Sequence, residues 1–502
     1  MDRRQLLKTA AGAGTAALLA RCGGGENAAA PRPNILVVMT DDQAANQMSC
    51  AGHALLNTPA LDRIANEGVR FTNSFCTNSL CAPGRAAVLT GTYSHVNGIL
   101  GNSESGNEIE KLSTEIPTYP QLLQQAGYRT GMMGKWHLST DPVGFDDWKI
   151  LPGQGVYFDP EFIINGERKT VPGYVTDLTT DFAIEFLEQD RGEQPFCLVY
   201  QHKAPHRPFT PAPRHADLYN DIEWPYPETY NDDYATRDVA ARAEDMRFEV
   251  SLKPDYDDIP AGLSAEDERN WIFQRFMKDH HRTLSAVDEG VGRILDYLDE
   301  KGLAEDTLVI YTSDNGFYLG DHGWYDKRFM YEPSLRIPML LRYPRMVKAG
   351  QVDAHFVQHQ DIAPTVLDFA GVAIPEVVQG RSVRPVVEGT PPEDWRRSMF
   401  YSYHEDSWSR SLVPGFNPGR YGTPHRVTPH RGVRTDRYKL IEYYKEGDYW
   451  ELFDLAEDAN ELRNVYSDPA NAELIADLTT QLRALQEQYG ATDEVTSQPV
   501  EG

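Results

Sequence analysis

Five apolar residues in a row, Ile35-Leu36-Val37-Val38-Met39, run through Thr40 into a pair of acids, Asp41-Asp42. A strand with one face in water alternates apolar and polar residues, so an unbroken run of this length predicts a strand buried on both faces. Such a strand needs a covering layer on each side, which means helices packed on both faces of a sheet. Two more runs repeat the pattern: Phe196–Tyr200 precedes His202, and Thr307–Thr312 precedes Ser313-Asp314-Asn315-Gly316. Helical spacing lies between them. Thr58-Pro59 offers an N-cap and first-turn proline ahead of Leu61, Ile64 and Ala65, with Gly68 as terminator. Leu284, Val287, Val291, Ile294, Leu295 and Leu298 predict one long amphipathic helix ending near Gly302. The expected fold class is an α/β sandwich.

The chain has 502 residues, 40% of them hydrophobic, which is enough for a large core and more than one domain. No apolar run reaches the roughly 20 residues needed to cross a bilayer. Trp224 to Glu268 is acidic, rich in Pro and Tyr and without period, and reads as an inserted surface segment. Past about Pro391 come short strand-like runs, at Met399–Tyr403, Gly432–Arg434, Tyr438–Tyr444 and Glu451–Leu455, then a helix from about Asn471 to Tyr489. The expectation is a main domain over 33–390 and a small antiparallel subdomain over 391–502. Residues 1–32 read as a leader and linker. Arg3-Arg4, ahead of an Ala-, Gly- and Leu-rich stretch, resembles a twin-arginine export signal, which implies a periplasmic or extracellular protein. A lipid anchor at Cys22 is not favoured, because Arg21 stands where a small residue is needed. The net charge of −27 repels nucleic acid, and any anionic ligand requires a locally basic site.

The five cysteines show neither CxxC metal spacing nor a dense disulfide framework, so each is judged by its neighbours. Cys81 has the informative surroundings: Cys81-Ala82-Pro83-Gly84-Arg85, then Ala86-Ala87-Val88-Leu89-Thr90-Gly91. Asp41-Asp42 and Asp314-Asn315 each follow a predicted strand, and ligands of open α/β sheets gather beyond the carboxyl ends of strands. Four hard oxygen donors from two such ends suit Ca2+ or Mg2+ rather than zinc. In Gly134-Lys135-Trp136-His137-Leu138, a cation and a titratable ring are two apart and share a face if the chain is extended. That pairing suits an oxyanion and a proton transfer. His202-Lys203-Ala204-Pro205-His206-Arg207-Pro208 follows the Phe196–Tyr200 run. Beyond Asp314 stand His322, then Asp326-Lys327-Arg328-Phe329-Met330-Tyr331-Glu332 and Arg336-Ile337-Pro338.

In this order these strings resemble the type I sulfatases. Arg434-Thr435-Asp436-Arg437-Tyr438-Lys439 and Glu451-Leu452-Phe453-Asp454-Leu455 are similar to that family's C-terminal subdomain, so the likeness runs over nearly the whole mature chain. The resemblance implies an alkaline-phosphatase-like sandwich, a central mixed sheet flanked by helices, with sulfuric ester hydrolase activity. It further implies that a transient maturation enzyme oxidises Cys81 to Cα-formylglycine. One hydroxyl of the hydrated aldehyde would attack sulfur, and the other would later expel sulfate. Asp41, Asp42, Asp314, Asn315 and the converted Cys81 would hold Ca2+, with Mg2+ as runner-up.

By the same resemblance, Asp314 takes the proton of the attacking hydroxyl, and Arg85 orients the diol. Lys135 and Lys327 neutralise sulfate oxygens. His206 protonates the leaving alcohol, and His137 removes the second hydroxyl's proton. His202 and His322 join Lys135, His206 and Lys327 as substrate-binding candidates. The Asp326-Lys327-Arg328 and Tyr331-Glu332 neighbourhood looks most like bacterial carbohydrate sulfatases, N-acetylglucosamine-6-sulfatase-like enzymes among them, so a sulfated saccharide is the expected substrate. Two other readings stay open. One is a phosphate or phosphonate monoester hydrolase of the same superfamily, against which Asn315 in place of a His speaks. The other is a non-catalytic sulfated-glycan-binding protein.

Overall fold

The computed structural model describes residues 32–102, 111–405 and 426–492. The expected leader, with Arg3, Arg4 and Cys22, lies outside the described residues apart from Arg32. The apolar run forms the strand Asn34–Thr40, and all seven of its residues are buried, as an unbroken run requires. Strand alternation divides them between two layers. Leu36 and Val38 pack among the helices Pro59–Asn66, Val175–Glu188 and Ala265–Glu300. Ile35, Val37 and Met39 pack among Cys81–Thr90, Tyr119–Gln125 and Ile362–Phe369. Each such side chain, taken fully out of water, contributes about 1.5–3 kcal/mol.

The sheet has ten strands. Their order is Gln351–Asp353, Val69–Phe71, Met339–Arg342, Thr307–Ser313, Asn34–Thr40, Phe196–Gln201, Arg129–Lys135, Asp147–Leu151, Glu161–Ile164, Glu167–Thr170. The five from Thr307–Ser313 to Asp147–Leu151 run parallel, so their carboxyl ends share one edge. Met339–Arg342 and Glu161–Ile164 turn antiparallel on either side, which makes the sheet mixed.

The long helix begins well before Leu284. It spans Ala265–Glu300 and is capped by Ser264, whose side chain accepts from the Asp267 amide. Its charged first half also carries Ile272, Phe273, Phe276 and Met277 into the core. That half buries what the sequence left as a surface insertion. Trp224, Tyr230, Phe248 and Leu252 lie in the same core, and Tyr234, Val239, Ala240 and Met246 lie in another. The expectation of a surface segment over Trp224–Glu268 is therefore corrected. Its apolar residues sit in turns and short helical pieces, where burial has no fixed period to betray it.

A second, four-stranded antiparallel sheet runs Ser398–Tyr403, His430–Thr435, Tyr438–Glu442, Trp450–Asp454. One face (Phe400, Val433, Leu440, Leu452) packs on Leu478 and Leu482 of the helix Ala472–Tyr489. The other (Met399, Tyr401, Ile441, Phe453) packs on Phe329, Met330 and Tyr331, which follow Lys327-Arg328. Tyr401 Oη donates to the Arg328 carbonyl at 2.7 Å and accepts from the Ser79 amide at 3.1 Å. This sheet therefore braces both the Lys327 loop and the turn leading into Cys81. Among the described residues no helix is long and apolar enough to cross a membrane.

Candidate active site

The shared edge of parallel carboxyl ends gathers the polar groups. Thr40 leads to Asp41 and Asp42, Ser313 to Asp314 and Asn315, Gln201 to the loop carrying His206, and Lys135 ends its own strand. Single ligand atoms of Asp41, Asp42, Cys81 and Asp314 all lie within 4.8 Å of one another, and all four residues are buried. Asp42 takes φ 71°, a left-handed conformation that Asp tolerates better than most residues. Cys81 opens the helix Cys81–Thr90, whose ten residues are all buried. The positive end of the helix dipole therefore lies at Cys81 and favours negative charge there.

Gly84 explains how that helix comes so close. A Cβ on Gly84 would sit 2.0 Å from the Asp314 carbonyl oxygen. Gly134 does the same for Lys135, since its φ is 104° and a Cβ would meet the Gln201 carbonyl at 1.9 Å. Gly84→Ala must push the Cys81 helix off the Asp314 backbone. It should cost about 1–3 kcal/mol of stability, as overpacking does, and lower activity with it. Thermal melts and turnover check this; wild-type values in both would show that the close approach does not matter.

Arg85 lies between the two acid pairs, with Nη2 3.8 Å from Asp41 Oδ1. It donates to Asp314 Oδ2 through Nη2 (2.8 Å) and Nε (3.1 Å), and through Nη1 to Gln201 Oε1 (2.6 Å) and the Lys135 carbonyl (2.7 Å). Asn315 Nδ2 donates to Asp42 Oδ1 at 2.8 Å, and the Asp42 amide donates to Asp314 Oδ1 at 3.2 Å. Lys135 pairs with Asp41 and Lys327 with Asp42, and the Lys327 ammonium lies 3.5 Å from Cys81 Sγ. His206 directs Nε2 toward Asp42 Oδ2, 3.8 Å away, while its Nδ1 meets the Arg207 carbonyl at 2.7 Å. A carbonyl only accepts, so Nδ1 carries hydrogen and Nε2 is the nitrogen facing the acids.

Burial and charge set the protonation of these groups. Burial works against the charge of Asp41, yet Lys135, His206 and Arg85 hold its carboxyl well below the usual range. Burial raises Asp42, partly offset by Lys327, and raises Asp314 to about 7 with Asp41 adding to it. Burial and the Asp41 charge push the Cys81 thiol well up. Burial also holds His206 well below its ordinary value, and Lys135, Lys203 and Lys327 add to that.

The donor set fits a hard divalent cation. Asp41 Oδ1 and Asn315 Oδ1 are buried and have no hydrogen-bond partner, as lone pairs kept for an ion would be.

The remaining candidates are His137, His202 and His322. The Arg129–Lys135 strand ends at Lys135 and His137 takes φ 56°, so the alternation expected to put both on one face does not extend to His137. His202 lies beside Arg85, its ring edge-on to Tyr200 at 4.3 Å, and burial followed by the Arg85 charge pushes it down to about 3. His322 pairs with Asp232 at 2.7 Å through Nδ1, which also lies 3.4 Å from Arg237. Its partner comes from the segment read as surface.

Besides Gln201, two groups at the site were not predicted. Gln154 accepts from Lys135 Nζ, and Tyr157 donates to the His206 carbonyl at 2.6 Å. Both follow Asp147–Leu151, a fifth parallel strand whose mixed sequence carries no apolar run.

Comparison with known proteins gives the family. The family model described as Sulfatase matches residues 33–372, and one described as N-sulphoglucosamine sulphohydrolase, C-terminal, matches 320–488. A protein of Bacteroides thetaiotaomicron named N-acetylglucosamine-6-O-sulfatase is 40% identical, covering 95% of this chain and 90% of its own. A solved structure described as in complex with its substrate D-glucosamine-2-N,6-O-disulfate is 39% identical with a TM-score of 0.84, covering 93% of this chain and 100% of its own. A phosphonate monoester hydrolase of Agrobacterium radiobacter is 23% identical with a TM-score of 0.71, covering 91% of this chain and 96% of its own, and shares the fold.

Proposed function

The chain belongs to the sulfatase family and is a sulfuric ester hydrolase; from that premise we propose that it removes a 6-O-sulfate from a glucosamine-type sugar through a formylglycine made from Cys81. The convergence of Asp41, Asp42 and Asp314 on Cys81 within 4.8 Å carries the reading, because a cation held by these acids would lie beside the nucleophile. The names of the relatives that act on 6-sulfated glucosamines support the sugar.

Asp41, Asp42, Asp314 and Asn315 would hold Ca2+, or Mg2+ as runner-up. The ion would polarise a sulfate oxygen and lower the pKa of the nucleophilic hydroxyl. Formylglycine would supply a hydrated aldehyde, with one hydroxyl to attack and a second to restore the carbonyl. The side chains do the rest. Asp314, with Oδ2 fixed by Arg85, offers Oδ1 to the nucleophile's proton. Lys135 and Lys327 present ammonium groups to the sulfate oxygens as charge develops on them. His206 would act as an imidazolium, a form that the bound sulfate's negative charge favours against burial, giving the proton on Nε2 to the leaving sugar oxygen with Nδ1 anchored on the Arg207 carbonyl. His137 takes up a proton in the release step. Residues 1–32 would direct export after Cys81 is converted in the cytoplasm, since twin-arginine export carries folded protein.

Sulfate release from N-acetylglucosamine 6-sulfate and glucosamine 2-N,6-O-disulfate tests the substrate. Turnover of an aryl phosphate far above that of both sulfated sugars would transfer the reading to phosphate esters. The role of His206 has its own signature. His206→Ala should slow a sugar sulfate by about 10²–10⁴-fold, the usual value of general acid catalysis. A 4-nitrophenyl ester should suffer far less, because its leaving group needs no proton. Equal losses on both substrates would remove His206 from that role.

A further inference from the structure

We propose that Lys203 and Tyr157 are positioning residues for His206, bracing the two backbone carbonyls that fix its imidazole so that Nε2 stays aimed at the leaving oxygen. The inference rests on His206 acting as the acid. Its Nδ1 donates to the carbonyl of the next residue, Arg207, so ring and loop are free to swing together unless that backbone is held from outside. Two side chains hold it. Lys203 Nζ donates to the same Arg207 carbonyl at 3.1 Å, and Tyr157 Oη donates to the His206 carbonyl at 2.6 Å.

The two braces form one unit, because the Lys203 ammonium lies 5.1 Å from the centroid of the Tyr157 ring, within cation–π range. They also come from different strand ends. Lys203 follows Phe196–Gln201 and Tyr157 follows Asp147–Leu151, so the His206 loop is pinned across the edge of the sheet. Lys203 is only 2% exposed. Among the described residues its ammonium meets that carbonyl and that ring rather than an ion-pair partner. A buried lysine without a paired carboxylate is costly, and its burial here, reinforced by Lys135, brings it down to about 7. A purely structural side chain at this place has no need of a charge.

The test uses the full-length, converted enzyme with Lys203→Met, which keeps the stem and removes the ammonium, and Tyr157→Phe, which removes one hydroxyl. kcat/KM is measured on N-acetylglucosamine 6-sulfate and on 4-nitrophenyl sulfate, beside melting temperatures. Misplacement by about 1 Å costs on the order of 10²-fold, so each variant should lose about ten- to hundredfold on the sugar sulfate and only a few-fold on the aryl ester. On a His206→Ala background the same changes should cause no further selective loss. Equal losses on both substrates, or none, in a folded variant would overturn the inference. If Lys203→Met does not fold, Tyr157→Phe decides alone. Should His206→Ala itself fail to discriminate, the reading of His206 falls; discrimination there without it in Lys203→Met and Tyr157→Phe sinks only this proposal.

Discussion

Replacing Cys81 with Ala should leave a folded protein, with a melting temperature close to that of wild type, that releases no sulfate above background. The Cys81 side chain is small, and its hydrogen-bond neighbour Lys327 keeps a second, stronger partner in Asp42. The acids, Arg85 and both lysines remain in place, so the pocket for a sulfate survives while the nucleophile is gone. Binding and catalysis should therefore separate: the variant still takes up a sulfated sugar, seen by calorimetry, and does not turn it over. Wild-type turnover by Cys81→Ala would end the proposal.

Asp314→Ala is expected to have the broader effect. It removes one oxygen of the proposed cation site, the acceptor of two Arg85 bonds and the acceptor of the Asp42 amide. Arg85 is fully buried, and breaking a buried ion pair from one side typically costs about 3–5 kcal/mol. Loss of charge stabilisation at a reacting oxyanion costs about 10²–10³-fold in rate, a floor when the ion is lost with it. Elemental analysis after dialysis should find wild type with stoichiometric calcium or magnesium and Asp314→Ala without it, and urea melts should give the stability loss. Asp314→Asn keeps the shape and should restore much of the stability but little activity. Wild-type enzyme that is active with zinc and neither calcium nor magnesium would contradict the cation site.

The sequence made the centre of this molecule legible where burial and chemistry coincide. Ile35–Met39 and Thr307–Thr312 are apolar on both faces because they lie mid-sheet, and the acids just past them could be placed on one edge before any coordinates. Asp147–Leu151 lies farther out, its sequence is mixed, and with it Gln154 and Tyr157 went unseen. Period failed in a second way over Trp224–Glu268, where Trp224, Tyr230 and Phe248 are buried from turns and one-turn helices. Only the tertiary packing shows that Asp232 from this stretch satisfies His322, or that Tyr401, far along the chain, steadies the Lys327 loop. Lys203 illustrates the last limit: its string drew notice, but its link to His206 runs through a carbonyl that no residue pattern encodes.

The central claim is that Cys81 works as formylglycine, and the mass of the proteolytic peptide carrying Cys81-Ala82-Pro83-Gly84-Arg85 tests it most directly. Active enzyme, made beside a maturation enzyme, should yield that peptide with the CH2–SH of Cys81 replaced by an aldehyde, trappable by a hydrazide. Protein made without the maturation enzyme should carry the unmodified thiol, fold to the same melting temperature and be inactive. Specific activity should rise in proportion to the converted fraction. Full sulfate release by protein whose Cys81 is wholly unmodified would contradict the account.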